Sequence, residues 1–177
     1  MKLIRSMLLG VSVLIVAFLS GCASVPMASK DLDASAKMFK EPAQDRAGLY
    51  VYRDSFGGKA LKKMVSIDGK AIGQTANKVY FFKEISPGAH TLSTESEFGD
   101  NTLDISAVAG KNIYVRQYIK MGVFIGGSAL ELVSEEDGKK AVLDCERAEP
   151  LSVDEMHLSP KFAFVENLTT CLGKSLN

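Results

Sequence analysis

The sequence has little of the residues that most often build catalytic and metal sites. It contains only two histidines, His90 and His157, and three cysteines, none of them in a C-x-x-C pair. A structural zinc site needs four such ligands at short spacings. The motifs of phosphate loops and of serine hydrolases are incomplete as well. We therefore predict a protein that is not an enzyme, with no catalytic residues, no metal site and no cofactor.

An excess of charge of one sign is also lacking. The chain has 21 Lys and Arg side chains against 21 Asp and Glu. A basic excess is the usual footprint of a domain that binds nucleic acid, so we predict no nucleic-acid partner. After the first 22 residues, no apolar run approaches the roughly 20 residues that a membrane-spanning helix requires.

The start of the chain has a secretory pattern. Lys2 and Arg5 precede a nearly unbroken apolar run over residues 7–19. The run is too short to span a bilayer, which takes roughly 20 residues, and it fits the apolar region of a secretory signal peptide, roughly 7 to 15 residues. Residues 1–21 are therefore predicted to be a signal peptide.

The residues at the end of this segment, Leu19-Ser20-Gly21-Cys22, resemble the lipobox of bacterial lipoproteins. The resemblance implies cleavage before Cys22, a diacylglycerol on its sulfur and a fatty acid such as palmitate on its amine. Two or three acyl chains hold a protein at a membrane far more firmly than one. An aspartate after the cysteine would resemble the signal that keeps Gram-negative lipoproteins in the inner membrane. Ala23 and Ser24 stand there instead, so the resemblance implies the outer membrane, facing the periplasm, provided that the source has one. The alternative is an ordinary secretory leader with an incidental cysteine.

The other two cysteines, Cys145 and Cys171, are predicted to form a disulfide. Disulfides persist in the oxidising envelope compartment. This one would close a loop of about 27 residues, which the chain-entropy treatment values at roughly 3 kcal/mol. The alternative is two separate buried thiols.

Residues 48–145 have the pattern of a β-domain. Apolar and polar residues alternate in "GLYVYRD", "KVYFFKEI" and "NIYVRQYIKM", and turn residues recur about every ten residues. Asp68-Gly69 is a hairpin signal, since a type I′ turn needs positive φ at both central positions. The pattern predicts a mainly β fold, an antiparallel β-sandwich of about seven short strands.

The segments on either side of this domain have less regular patterns. Residues 22–47 are predicted to be a tether, with a short helix as an alternative. Residues 146–177 are predicted to be a helical appendage. Ser134, followed by three acidic residues, and Ser159-Pro160 are typical helix starts. We therefore expect one or two C-terminal helices.

Two surfaces are candidates for binding. Four tyrosines lie on the strand phase opposite the apolar residues and would form an aromatic face for sugars or a partner: Tyr50, Tyr52, Tyr114 and Tyr118. Cross-strand stabilisation is the alternative reading of these residues. The apolar, glycine-rich "MGVFIGGSALELV" would be a contact patch for a protein or a lipid surface if exposed. Otherwise it is a buried strand with a bulge at Gly126-Gly127.

Three short stretches resemble the bacterial family called domain of unknown function 2846. They are Tyr50-Val51-Tyr52-Arg53, Asp68-Gly69-Lys70 with Gly73, and Pro87-Gly88 with His90 and Leu92. The resemblance extends over about residues 34–145, and it implies an envelope lipoprotein while saying little about activity.

These observations together predict a lipid-anchored envelope lipoprotein that is a non-enzymatic interaction or assembly module. Its expected partners are the membrane, through the lipid on Cys22, and an envelope protein or peptidoglycan. The alternative function is the binding of peptidoglycan, another glycan or a small ligand.

Overall fold

The computed structural model describes residues 25–55, 57–122 and 126–151. Three features predicted from the sequence lie outside these ranges: the signal peptide, the lipidated Cys22, and the C-terminal residues that include Cys171 and the second predicted helix.

The described residues form nine strands and two helices. The strands are β1 (Ala47–Arg53), β2 (Lys63–Ile67), β3 (Lys70–Thr75), β4 (Val79–Ile85), β5 (Gly88–Ser96), β6 (Gly99–Ala107), β7 (Asn112–Lys120), β8 (Gly127–Val133) and β9 (Glu146–Arg147). The helices are α1 (Lys30–Ala36) and α2 (Glu135–Leu143). The first sheet has the order β8-β7-β1-β4-β9 and the second has the order β3-β2-β5-β6. The predicted mainly β, sandwich-like fold is confirmed, with nine strands in the described ranges instead of about seven.

The predicted antiparallel pairing holds for five of the seven strand pairs in the described ranges and is wrong for the other two. Strand β7 pairs parallel to β1, with Tyr50 opposite Tyr114, and β9 pairs parallel to β4. Period-two alternation shows which face of a strand is buried, but it carries no information on strand neighbours or direction. Here the chain leaves β6 in the second sheet and returns to the first sheet beside β1.

The hairpin predicted at Asp68-Gly69 is confirmed. The two residues connect β2 to β3 and have φ angles of 50° and 74°, as a type I′ turn requires.

The main core lies between the two sheets. Inward-facing residues of β1, β2, β3, β4, β5 and β7 meet there, and each is almost fully buried: Leu49, Val51, Val65, Ile72, Phe81, Leu92 and Val115. The other face of the first sheet carries a second apolar cluster, which α1 and α2 cover.

Both helices begin at a serine. The Ser29 hydroxyl accepts a hydrogen bond from the N–H of Leu32 at 3.3 Å, and the Ser134 hydroxyl accepts one from Asp137 at 3.1 Å. The helix predicted to follow Ser134 is thereby confirmed. Each cap satisfies a backbone donor that would otherwise lack a partner.

The packed part of the chain extends beyond residues 48–145 at both ends. Val25 is buried in the main core, and Met27 forms a β-bridge with Ala148. At the other end, the N–H of Leu151 donates to the carbonyl of Ile72 in β3 at 2.8 Å. Residues 25–47 therefore lie on the domain rather than forming a free tether. In the described ranges, no helix has the length and hydrophobicity that crossing a bilayer would take.

Candidate functional site

The proposed aromatic binding face is buried. Tyr50 and Tyr114 are neighbours, as that hypothesis required, and their rings stack at 5.0 Å with 15° between the planes. Tyr50, Tyr52 and Tyr114 are nevertheless only 1%, 3% and 1% exposed. The prediction of an exposed face is wrong for these three residues, because α1 and α2 pack over them. Tyr118 is half-buried, with Lys120 Nζ 5.9 Å from its ring centroid.

The tyrosines hold α1 against the sheet. Tyr50 Oη donates to the carbonyl of Ala36 at 2.8 Å, and Tyr80 Oη donates to Asp33 Oδ1 at 2.9 Å. Burial raises the pKa of Tyr50 to about 12, so its hydroxyl stays a donor. Burial opposes ionisation of Asp33, but hydrogen bonds from Lys37 and Tyr80 outweigh it and lower the pKa of that carboxyl. These contacts are structural, and they leave no tyrosine platform for a ligand.

Cys145 lies in the same cluster and is 1% exposed. Burial raises the pKa of its thiol to about 12, so very little reactive thiolate is present near neutral pH. Within the described residues the thiol is unpaired. Cys171 lies outside those residues, so the disulfide between the two stays a prediction.

A buried polar network lies at one end of the sandwich, between the sheets. The Gln117 amide donates to Thr94 Oγ1 at 2.6 Å, and Thr94 Oγ1 lies 2.7 Å from Ser128 Oγ. Thr75 Oγ1 also donates to the Gln117 side-chain oxygen. Every one of these four side chains is at most 2% exposed. The network links β3, β5, β7 and β8 without a free polar group that could meet a ligand.

Arg53 continues this network and was given no role by the sequence reasoning. Its guanidinium is fully buried, donates to the carbonyl of Leu61 at 2.7 Å and donates to that of Gly58. A buried charge is tolerated only when its donors are satisfied, and here the two loop carbonyls do so together with the Ser55 hydroxyl and the carbonyl of Thr75 in β3. Arg53 thus fixes the conformation of this loop. The available signal was its position in phase with the inward-facing Leu49 and Val51.

His90, a residue of the family resemblance, lies at the opposite end of the sandwich. Its Nδ1 lies 2.6 Å from Asp68 Oδ2, and its Nε2 lies 2.8 Å from the carbonyl oxygen of Ser86. The hydrogen bond to Asp68, followed by that to Ser86, raises the pKa of His90. Both ring nitrogens act as donors in this arrangement. A general base needs a free nitrogen lone pair, so this arrangement does not activate the Ser86 hydroxyl. His90 instead connects the turn between β4 and β5 to the Asp68-Gly69 hairpin.

An open cleft of about 390 Å³ lies between α2 and the first sheet. Arg116 lines it, and its guanidinium donates to Asp54 at 2.9 Å and to Glu131 at 3.2 Å. Since two carboxylates already hold this cation, the cleft does not present it to an anionic ligand.

The apolar, glycine-rich stretch has two different environments. Gly127, Ser128 and Ala129 are buried at the start of β8, as the buried-strand alternative expects. Met121 and Gly122 are exposed, whereas residues 123–125 lie outside the described ranges. Phe98, in the neighbouring β5–β6 turn, is 81% exposed, and Met121 is fully exposed. Among the described residues, these two hairpin tips therefore carry the most exposed large apolar side chains.

Comparison with known proteins places this fold in a family. The sequence profile described as "Protein of unknown function (DUF2846)" matches residues 43–128. A protein of Haemophilus influenzae, described as an uncharacterized protein, is 53% identical over 138 residues, which cover 78% of this chain and 80% of the relative. The resemblance found in the sequence is thereby confirmed, and the chain belongs to the DUF2846 family.

Proposed function

We propose that this protein is a lipid-anchored lipoprotein of the bacterial cell envelope, and that its β-sandwich is a non-enzymatic interaction or assembly module. The observation that carries the proposal is the lipobox Leu19-Ser20-Gly21-Cys22, directly before a folded domain. Ala23 and Ser24, following the cysteine, favour the outer membrane and a periplasmic domain.

The short connection between Cys22 and the fold supports a membrane-held role. Val25 is already buried, and Met27 already pairs with Ala148. Three residue steps of 3.3–3.6 Å give a connection of at most about 11 Å. A lipid on Cys22 would therefore hold the surface of the domain against the bilayer, with little room for a long tether.

A non-enzymatic role agrees with the state of the reactive side chains. Cys145 is buried with a raised pKa, both nitrogens of His90 are engaged, and Arg116 is held by two carboxylates. The alternative, binding of glycan or peptidoglycan, relied on an exposed tyrosine face. Burial of three of those tyrosines weakens that alternative.

The anchoring part is tested by growth with an alkyne analogue of palmitate. We expect the wild-type protein and a Cys171→Ser control to carry the label, and Cys22→Ser to lose it. Unlabelled wild-type protein, or a Cys22→Ser variant that keeps the label, would contradict the proposal.

The module part is tested by crosslinking and affinity capture from intact envelopes. We expect one protein to be captured specifically with the wild type. Co-sedimentation with purified sacculi in the absence of such a protein would instead favour the peptidoglycan-binding alternative.

A further inference from the structure

Three loops meet at one corner of the sandwich. A Cβ atom placed on Gly126 would lie 2.9 Å from the Leu61 side chain, and one on Gly127 would lie 2.8 Å from Ser96 Oγ. Gly126, before β8, therefore lies against the β1–β2 loop, and Gly127, the first residue of β8, lies against the end of β5, where the β5–β6 turn begins. We call residues 57–62, 97–98 and 120–122 the loop corner.

The loop corner exposes large apolar side chains at its tips. Phe98 is 81% exposed and Met121 is fully exposed. The two side chains lie on neighbouring hairpin tips. Met121 follows Lys120, which pairs with Gly127. Gly127 lies against Ser96, two residues before Phe98. Protruding apolar side chains of this kind can enter the interface of a bilayer.

Basic residues accompany these tips. Lys59, Lys62 and Lys120 belong to the loop corner and are exposed, against the acidic Glu97 and Asp100 of the β5–β6 hairpin. The small positive excess favours contact with anionic lipid headgroups, since a Lys or Arg near such a surface is attracted to it.

Hydrogen bonds from the body of the sandwich lie beneath the loop corner. Arg53 holds the β1–β2 loop through the carbonyls of Gly58 and Leu61. Ser128, at the start of β8, donates to the carbonyl of Glu95 at 2.6 Å, and its own carbonyl accepts from Asn101 at 2.6 Å.

The chain enters the domain at the same end of the sandwich. Val25 and Met27 line a surface cavity of about 380 Å³ together with the β3–β4 turn at residues 76–78. That turn is joined to the last residue of β1 by the hydrogen bond from Lys78 N to Arg53 O at 2.7 Å. The connection to Cys22 and the loop corner therefore share one end of the strands.

We infer that the loop corner is a second membrane contact, in which Phe98 and Met121 insert into the bilayer interface while the lysines face anionic headgroups. The inference rests on the proposed lipid anchor, which brings this end of the domain to the membrane. The anchor sets the distance from the bilayer, and the loop corner sets the orientation of the sandwich.

The test uses the full-length lipidated protein with Cys171→Ser, in which we expect the buried Cys145 not to react with labels. Phe98→Cys, Met121→Cys and a control, Val108→Cys, each receive an environment-sensitive fluorophore. Val108 is 58% exposed and lies between β6 and β7, at the opposite end of the sandwich. The proteins are reconstituted into vesicles of phosphatidylethanolamine and phosphatidylglycerol, with and without bromine on the acyl chains.

At positions 98 and 121 we expect the fluorescence emission to shift to shorter wavelengths and to be quenched by the brominated lipid. At position 108 we expect neither change. If the fluorophores at positions 98 and 121 report the same aqueous environment as the one at position 108, the inference is overturned. If the fluorophores are exposed to water in vesicles but shielded in whole envelopes, the loop corner binds a protein partner, and the inferred membrane contact is overturned as well. Flotation of the same vesicles reports on the anchor separately: protein that fails to float overturns the anchoring, and the inference with it.

Discussion

The packing of α2 on the first sheet predicts that Gly138→Ala destabilises the protein, whereas helix propensity predicts that it stabilises it. Gly138 lies in the middle of α2 and faces the ring of Tyr114. Replacing glycine by alanine inside a helix normally stabilises a protein by about 1 kcal/mol. Propensity alone therefore predicts that Gly138→Ala is stabilising.

The structure predicts the reverse. A Cβ on Gly138 would lie 2.3 Å from both Cβ and Cγ of Tyr114, far inside the usual carbon–carbon contact distance of about 3.5–4.0 Å. Tyr114 cannot move aside, because it is 1% exposed and stacks on Tyr50. Overpacking of this kind costs about 1–3 kcal/mol, and a contact this short belongs at the upper end of that range. The net expectation is a loss of about 2 kcal/mol.

The assay is thermal and urea unfolding of the purified protein, followed by circular dichroism. We expect Gly138→Ala to lower Tm by about 4–8 °C. Gly57→Ala is the matched control, since no atom lies within 4 Å of the added methyl group, and it should leave Tm nearly unchanged. A Gly138→Ala protein as stable as the wild type would refute the argument that α2 is in direct contact with the tyrosine cluster.

Three further predictions follow from the same structure. Tyr50→Phe removes a buried hydrogen bond to α1 and should cost about 0.5–1.5 kcal/mol in urea unfolding. Tyr114→Phe should cost less, because the Tyr114 hydroxyl makes no well-formed hydrogen bond within the described residues and only interacts with the Asn112 side chain beside it. The pKa of His90 is raised above 6.5 and that of Asp68 is lowered below 3.8. Their contact should therefore stabilise the fold fully between pH 3.8 and pH 6.5. This stabilisation should weaken as the pH rises through the raised pKa of His90. The urea midpoint of the wild type should approach that of His90→Gln as the pH rises through this range. A difference between the two midpoints that does not change with pH would contradict a stabilising contact between His90 and Asp68. In the reduced protein, Cys145 should react with a maleimide only after unfolding, and rapid labelling of the folded protein would contradict its burial.

The local features of the fold were accessible from the sequence. The Asp68-Gly69 turn and the Ser134 helix start are each set by a few adjacent residues, because positive φ angles and a capping hydroxyl are local requirements. The alternation in β1 likewise identified Leu49 and Val51 as inward-facing.

The features that depend on distant contacts were not accessible. Alternation placed Tyr50 and Tyr114 on the outer face correctly, but it could not show that two helices cover that face. The parallel pairing of β1 and β7 depends on how the chain returns from the second sheet. Similarly, residues 25–47 appear polar and loosely patterned, and their packing depends on partners such as Ala148, more than a hundred residues away.

The central claim, a lipid on Cys22, is tested most directly by the mass of the mature N-terminal peptide from purified envelopes. We predict a chain that begins at Cys22 and carries the added mass of a diacylglycerol and an amide-linked fatty acid. A mature chain that begins at another residue, or that begins at Cys22 without added mass, would contradict the account.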